Sequence, residues 1–260
     1  MTDLSALGLQ KQPVDEWEQY FRSGRVFAAR LDADGARRRM RANTVVLAVC
    51  AVVGVAALAT LILMAVTDLG RIATYVLLGI LVIAAAGVAL KFVFARRRLR
   101  AGLSGASEYL VISTQGVRLA DALELPWTSV TGGVGVDARN APVAGVQRFA
   151  ARVSRAAGVA EAEMTLGLSA TRATRDGAPA HLHGLFEVIA DHGGIRVPVD
   201  TMVPADQVKA SLAAMTVAGR MAGVDIDLPA DRSAIVKRAM EVLGPQKPRP
   251  DAAEPKETGA

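Results

Sequence analysis

The chain is poor in cysteine, and two long stretches of it hold no charged residue. Cys50 is its only cysteine, which excludes an intramolecular disulfide framework. A lone thiol inside an apolar run acts as a small apolar side chain. Residues 44–66 and 72–90 carry no Asp, Glu, Lys or Arg. Transporters and ion channels keep ionisable groups at mid-bilayer depth, so their absence speaks against transport by this chain alone.

The two uncharged stretches predict a transmembrane helical hairpin. Residues 44–66 reach about 34 Å as a helix, enough for a hydrocarbon core of about 30 Å. The second span extends over 72–95, because the stem of Lys91 can lie along apolar surface and lift its ammonium to the headgroups. Residues 67–71 leave room only for a short external turn. We therefore expect a multi-pass protein with two antiparallel spans.

Arginines cluster on one side of this hairpin and predict its orientation. Four precede the first span and four follow the second, whereas the turn holds one: the clusters are Arg37, Arg38, Arg39 and Arg41, then Arg96, Arg97, Arg98 and Arg100. The positive-inside rule places both termini in the cytoplasm. We interpret the clusters as topology determinants and contacts to membrane lipid headgroups. The high ratio of arginine to lysine suggests a bacterium, and hence the plasma membrane.

The distribution of charge argues against a nucleic-acid partner. The chain carries a formal net charge of +5, and the whole excess lies beside the predicted spans. Residues 44–103 carry +5, whereas residues 104–260 carry −2. Binding to nucleic acid requires positive charge on the folded domain, to neutralise phosphates. No nucleic acid is therefore expected among the partners.

Residues 1–43 are predicted to form an amphipathic helix and a basic juxtamembrane segment. Pro13 suits the first turn of a helix, and Asp15 and Glu16 complement its N-terminal dipole. Trp17 and Phe21 share an apolar face. Two placements remain open: the helix lies in the membrane interface, or it packs on its own domain.

Residues 104–244 are predicted to form a cytoplasmic β-rich domain. Alternating apolar residues over 109–113 and 117–121, with a turn between them, indicate a β-hairpin. Further strands are expected at 123–131, at 163–174, at 182–191 and at 194–201, and the glycines of 132–135 suggest a bulged strand. Pro204 is expected to begin a helix, and a second helix covers 231–243. Residues 245–260 have the composition of a disordered tail.

The stretch from 137 to 162 allows two interpretations. Apolar residues recur at helical spacing at Val146, Phe149 and Val153. Three arginines lie on a neighbouring face of the same pattern: Arg148, Arg152 and Arg155. This predicts a basic surface helix under the membrane, whose arginines form a lipid-binding or partner-binding face. Two short strands are the alternative. Four alanines at 150, 151, 156 and 157 favour the helix.

The order of these segments carries a resemblance. An arginine-flanked hairpin is followed by residues 109–112 (YLVI), residues 116–119 (GVRL) and residues 125–130 (LPWTSV), then by a late β-hairpin and a closing helix. This resembles the bacterial PH-like membrane proteins, in which a strand after the first hairpin carries a tryptophan placed like Trp127. The resemblance implies an α+β membrane protein, with a two-helix transmembrane hairpin and an antiparallel PH-like domain capped by the Pro204 helix. It also implies a scaffold or binding role, with Trp127 and Pro204 as structural residues.

No motif assembles a catalytic or cofactor site. His181 and His183 have a spacing that can bind a metal, but a structural site needs about four ligands. No serine stands in a G-x-S-x-G elbow. We therefore expect a non-enzymatic scaffold or accessory subunit without cofactor or metal, whose domain binds a protein partner. The alternative is a sensor of anionic lipid headgroups that uses the juxtamembrane and domain arginines.

Overall fold

A computed structural model describes residues 11–67, 72–103, 107–139, 141, 145–189, 192–229 and 232–245. Its helices are α1 (Lys11–Arg22), α2 (Ala33–Thr67), α3 (Ile72–Gly102), α4 (Val146–Ala156), α5 (Thr171–Gly177), α6 (Val208–Met221) and α7 (Arg232–Leu243). Its strands are β1 (Phe27–Arg30), β2 (Glu108–Ile112), β3 (Gly116–Leu119), β4 (Leu123–Pro126), β5 (Val130–Asp137), β6 (Ala162–Leu168), β7 (Phe186–Ile189), β8 (His192–Pro198) and β9 (Ile226–Asp227). Short 3-10 helices cover Trp127–Ser129 and Ala180–Leu185. The chain is therefore α+β, as predicted. Residues 68–71 of the expected turn (67–71) and residues 246–260 of the expected tail (245–260) lie outside the described residues.

The helices α2 and α3 form the predicted antiparallel pair, and both are longer than the apolar runs inside them. They have 35 and 31 residues and are long and apolar enough to cross a membrane. Asp32 caps the N-terminus of α2, because its Oδ1 accepts a hydrogen bond of 2.9 Å from the N–H of Gly35. Both arginine clusters are helical, so the expected boundaries at 43 and 96 are not structural breaks.

The first sheet is antiparallel and has the strand order β1-β2-β3-β4. Strands β2 and β3 form the predicted hairpin, with Leu110 opposite Leu119 and Ile112 opposite Val117. These four side chains are buried. Strand β1 was not predicted, because residues 1–43 were assigned to an amphipathic helix and a basic juxtamembrane segment. The four residues of β1 are too few for a recognisable strand pattern, and the strand is stabilised by its pairing with β2.

The second sheet has the order β7-β8-β6-β5-β9 and is mixed, because β9 runs parallel to β5. The glycines of 132–135 lie in strand β5, as predicted, but the register of β5 against β6 shifts just before them, between Val130 and Gly132. Gly194 permits the close approach of β8 to β6, since a Cβ there would lie 2.1 Å from the carbonyl oxygen of Leu166. The β-rich part therefore consists of two sheets. It is not purely antiparallel, as was expected, because the second sheet contains the parallel pair of β5 and β9.

Several of the predicted elements have different ends or types. The strand expected at 123–131 is interrupted, because β4 ends at Pro126 and a 3-10 helix covers Trp127–Ser129 before β5 begins. Residues 169–174 were expected in a strand, but β6 ends at Leu168 and α5 follows, with the Thr174 hydroxyl bonded to the carbonyl of Ala170. Residues 182–185 are 3-10 helix before β7 begins. The predicted Pro204 helix begins at Val208. Pro204 itself lies in the turn before the helix, where its carbonyl accepts a hydrogen bond from the N–H of Gln207.

The core lies around α6, which contacts strands of both sheets. It buries Val208, Leu212 and Met215, so α6 is the expected capping helix, although α7 follows it. The same core includes Phe21 of α1 and Leu99 of α3. The domain therefore extends beyond the predicted limits of 104–244 and includes α1, β1 and the end of α3. Helix α1 packs on α6, which answers where the N-terminal helix lies.

Candidate functional site at the base of the hairpin

We define the hairpin base as residues 37–44 of α2 and 91–100 of α3, where the apolar runs end and the arginines begin. Helix α4 packs against α2. Residues 137–162 were expected to form either a helix or two short strands. Their central part, residues 146–156, is a helix. Because the helix is rich in alanine and strongly amphipathic, its propensity and its pattern agree.

Asn43 joins α4 to both helices of the hairpin. Its side chain is 0% exposed, and its Nδ2 donates hydrogen bonds of 3.0 Å to the carbonyls of Phe92 and Ala157. Close by, the ammonium of Lys91 donates to the hydroxyl of Ser154 at 3.3 Å. The C-terminal end of α4 is thereby held at the level where the uncharged runs begin.

Arg98 ties α3 to the second sheet. Its guanidinium lies 3.0 Å from Glu187 on β7 and 3.6 Å from Glu163 on β6. Arg196 on β8 contacts the same two carboxylates, at 2.7 Å and 3.2 Å. We name these four residues the charge quartet; it is neutral overall, and its side chains are 19–29% exposed. A neutral, partly buried network of this kind holds its elements in one geometry.

Apolar packing extends this joint around α3. Leu99 is fully buried and touches Gly158, whose backbone has φ +78°. A Cβ at Gly158 would lie 2.5 Å from Leu99, so glycine is required there. On another side of α3, the 3-10 helix Ala180–Leu185 packs against it, with Gly184 beside the backbone of Arg97. The hairpin and the β-rich part therefore share one packed core.

The predicted headgroup arginines fall into two groups. Arg37, Arg38, Arg41, Arg97 and Arg100 are exposed, while Arg39, Arg96 and Arg98 are half-buried and bonded within the protein. Arg39 donates to the carbonyl of Thr201 at 2.9 Å, and Arg96 donates to the hydroxyl of Thr44 at 3.0 Å. Arg39 and Arg98 thus have an additional role, which the local sequence did not indicate: they attach the hairpin to the domain.

The three arginines of α4 are all exposed: Arg148, Arg152 and Arg155. The guanidinium of Arg155 pairs with Glu161 at 2.6 Å and donates to the carbonyl of Arg139 at 3.3 Å. The charge of Arg155 therefore has a carboxylate of the domain beside it. The exposed positive face of α4 is centred on Arg152.

Two carboxylates beside the hairpin base have displaced pKa values. Burial raises the pKa of Asp200 to about 6, although hydrogen bonds from backbone N–H groups and the charge of Arg39 act in the opposite direction. Its Oδ2 accepts the N–H of Glu161 at 2.9 Å. The side-chain hydrogen bonds of Arg139 hold the pKa of Asp137 below its ordinary value, against the effect of burial. Both groups serve contacts between loops and strands.

An open groove of about 730 Å³ lies on the first sheet, at the turn between β2 and β3. Its apolar lining includes Val26, Val111 and Pro126, and Arg118 and Glu124 stand at its polar part. Arg118 is 3.6 Å from both Glu108 and Asp121. The groove combines apolar surface with polar groups, the composition expected of a binding surface.

The predicted structural residues have distinct positions. Trp127 is 2% exposed and its Nε1–H donates to the carbonyl of Ser113 at 2.9 Å, which fixes the turn beside the groove. Pro204 is half-buried in the turn before α6. His181 and His183 lie on the 3-10 helix, not on a strand, and His183 bonds the carbonyl of Ala178. Among the described residues, no group of His, Cys, Asp and Glu could hold a metal ion.

Sequence reasoning missed Asn43 and the partners of Arg98. A local signal exists for Asn43, since it is a polar residue directly before 23 uncharged residues. No local signal marks Glu163 and Glu187, which resemble any other strand residue.

Comparison with models of known protein families, with curated proteins and with solved structures found no match for this chain.

Proposed function

We propose that this chain is a non-enzymatic membrane scaffold or accessory subunit. Its hairpin crosses the plasma membrane with both termini in the cytoplasm, and its PH-like domain binds a protein partner at the inner face. The apolar surface of the hairpin supports membrane insertion. In each of α2 and α3, only 6% of the apolar 18-residue stretch is buried within the protein, whereas a core helix of a water-soluble protein would be mostly covered. Uncovered apolar surface of this extent requires a lipid environment or a protein cover.

The observation that carries the scaffold role is the rigid joint between the hairpin and the domain. Asn43, the charge quartet and buried Leu99 fix the domain on the hairpin at three places. A flexible tether would need none of these contacts. A fixed joint instead gives the domain one height and one orientation at the membrane, which is the geometry a scaffold needs to present a surface to a neighbour.

The groove on the first sheet is the proposed partner site. The groove begins at the turn after β2. It therefore lies at the C-terminal end of β2, whereas α3 comes before the N-terminal end of that strand. Its volume suits a few side chains of a protein segment.

Site-specific photocrosslinking of the full chain in native membranes tests this site. A photoreactive residue at exposed Gln115 is expected to give one discrete adduct with a protein. Val111→Lys, which places a charge on the half-buried groove floor, should abolish that adduct while the unfolding temperature changes little. The control is the same photoreactive residue at exposed Lys237 on α7, which should give no such adduct. An adduct that survives Val111→Lys, or that forms equally from position 237, refutes the site.

A further inference from the structure

Helix α4 exposes an aromatic side chain beside exposed arginines. Phe149 is 72% exposed, and the side chains of Arg148 and Arg152 are exposed on the neighbouring face. Among the described residues, Phe149 is the most exposed aromatic side chain outside α2 and α3. An amphipathic helix with an aromatic apolar face and a basic polar face has the composition of helices that lie in a membrane interface.

The contacts of α4 fix its depth relative to the apolar runs. Ser154 meets Lys91, the first charged residue after the second run, and Ala157 meets Asn43, the last residue before the first run. If the hairpin spans the bilayer, as the proposed function requires, these two contacts place the C-terminal end of α4 at the headgroup level. An interfacial helix occupies the same level.

We infer that α4 is an interfacial helix that inserts Phe149 into the boundary between headgroups and acyl chains and places Arg152 against anionic headgroups. The occupant of this face is the leaflet in which the hairpin base lies. Continuity with the uncovered hairpin surface and the positive charge of the helix both favour lipid over a protein partner. The domain then has a third membrane attachment besides α2 and α3, which adds to the joint in fixing the orientation of the domain at the membrane.

This inference differs from the sensor hypothesis in the residues that it uses. Arg155 was expected on the lipid-binding or partner-binding face, but its guanidinium pairs with Glu161, so the inference rests on Phe149 and Arg152. One or two arginines beside a single aromatic give affinity for any anionic headgroup without selecting one. The helix is therefore an anchor that supports the orientation given by the joint, not a reader of a particular lipid.

Depth-dependent fluorescence quenching tests the inference on the full chain in vesicles. The protein, with Cys50 replaced by Ala, carries an environment-sensitive dye at Phe149→Cys, and a second protein carries it at Ile83→Cys, which is 74% exposed near the middle of the predicted span in α3. Vesicles contain phosphatidylcholine with phosphatidylglycerol and a nitroxide lipid labelled near the headgroup or near the chain end. We expect the dye at position 149 to be quenched several-fold more strongly by the shallow label, and the dye at position 83 by the deep label.

The outcomes separate this inference from the proposed function. An unquenched dye at 149 beside a quenched dye at 83 overturns the interfacial helix and leaves the hairpin in the membrane. Absence of quenching at 83 overturns membrane insertion itself, and the inference with it. Arg152→Glu should weaken the shallow quenching at 149 in anionic vesicles and leave it unchanged in phosphatidylcholine alone. An equal effect in both vesicles, or none in either, refutes the role of Arg152.

Discussion

Replacing Arg98 by methionine should loosen the joint between α3 and the second sheet. The variant keeps a long apolar stem but removes the charge that lies between Glu163 and Glu187. Both carboxylates then depend on Arg196 alone. The neutral quartet becomes a group of three residues with a net negative charge, in a place where water reaches only part of each side chain.

The expected loss follows from the burial of the quartet. An exposed ion pair contributes about 0–1 kcal/mol, and breaking a fully buried pair costs about 3–5 kcal/mol. The quartet lies between these limits, with Arg98 21% exposed and Glu187 29% exposed. We therefore expect Arg98→Met to lower the free energy of unfolding by about 1–3 kcal/mol. For a chain of this size, the unfolding temperature changes by about 2–4 °C for each kcal/mol.

Thermal unfolding in mild detergent, followed by tryptophan fluorescence, measures this loss, because Trp127 reports on the core of the domain. Arg100→Met is the matched control: Arg100 is exposed two residues away on α3, and its replacement should change stability by at most about 0.5 kcal/mol. A double-mutant cycle with Glu187→Gln should give a coupling of about 0.5–3 kcal/mol. If Arg98→Met behaves like Arg100→Met, or the coupling is zero, the quartet does not hold the joint.

Three further predictions concern the core, the pH dependence and the topology. Trp127→Ala should destabilise the domain by about 3–5 kcal/mol, measured by circular dichroism, because it removes a buried ring and the hydrogen bond to Ser113; a loss below about 1 kcal/mol would contradict its place in the core. Burial raises the pKa of Asp200 from 3.8 to about 6, so the folded state holds a proton that the unfolded state releases between these values. The stabilisation from this group is full below about pH 4 and is lost as the pH rises through about 6. Asp200→Asn should remove that component from unfolding temperatures measured across this range, and an unchanged profile would refute it. In a cysteine-free background, a cysteine at exposed Thr67, in the predicted external turn, should react with an impermeant thiol reagent in intact cells, and one at Lys237 should not; the reverse pattern would invert the proposed topology.

Local pattern sufficed for the hairpin and for much of the first sheet. The uncharged runs identify α2 and α3, because apolar length is a property of consecutive residues. Alternation and turn residues identify β2 and β3 for the same reason. Prediction failed where an element depends on a distant neighbour. Strand β1 is four residues long and is a strand only through β2, about 80 residues later.

The limits of the domain also required the tertiary structure. The sequence placed a boundary at residue 104, since the composition changes there. The core does not follow composition, because Phe21, Ala29 and Leu99 complete it from segments before that boundary. The pattern of residues 231–243 predicted the helix that is now α7. The parallel strand β9 was not predicted, because its two residues are a strand only through their pairing with β5.

The sequence by itself determined the two apolar helices, the arginine clusters beside them and the amphipathic pattern of residues 146–156. Each of these depends on residues that are neighbours along the chain, so it can be recognised before folding. Only the tertiary structure decided which arginines are available to lipid and which are bonded inside the protein. Arg98 and Glu187 are 89 residues apart, and nothing near either one marks the other. Their contact exists because α3 and β7 pack together, and packing depends on the whole core.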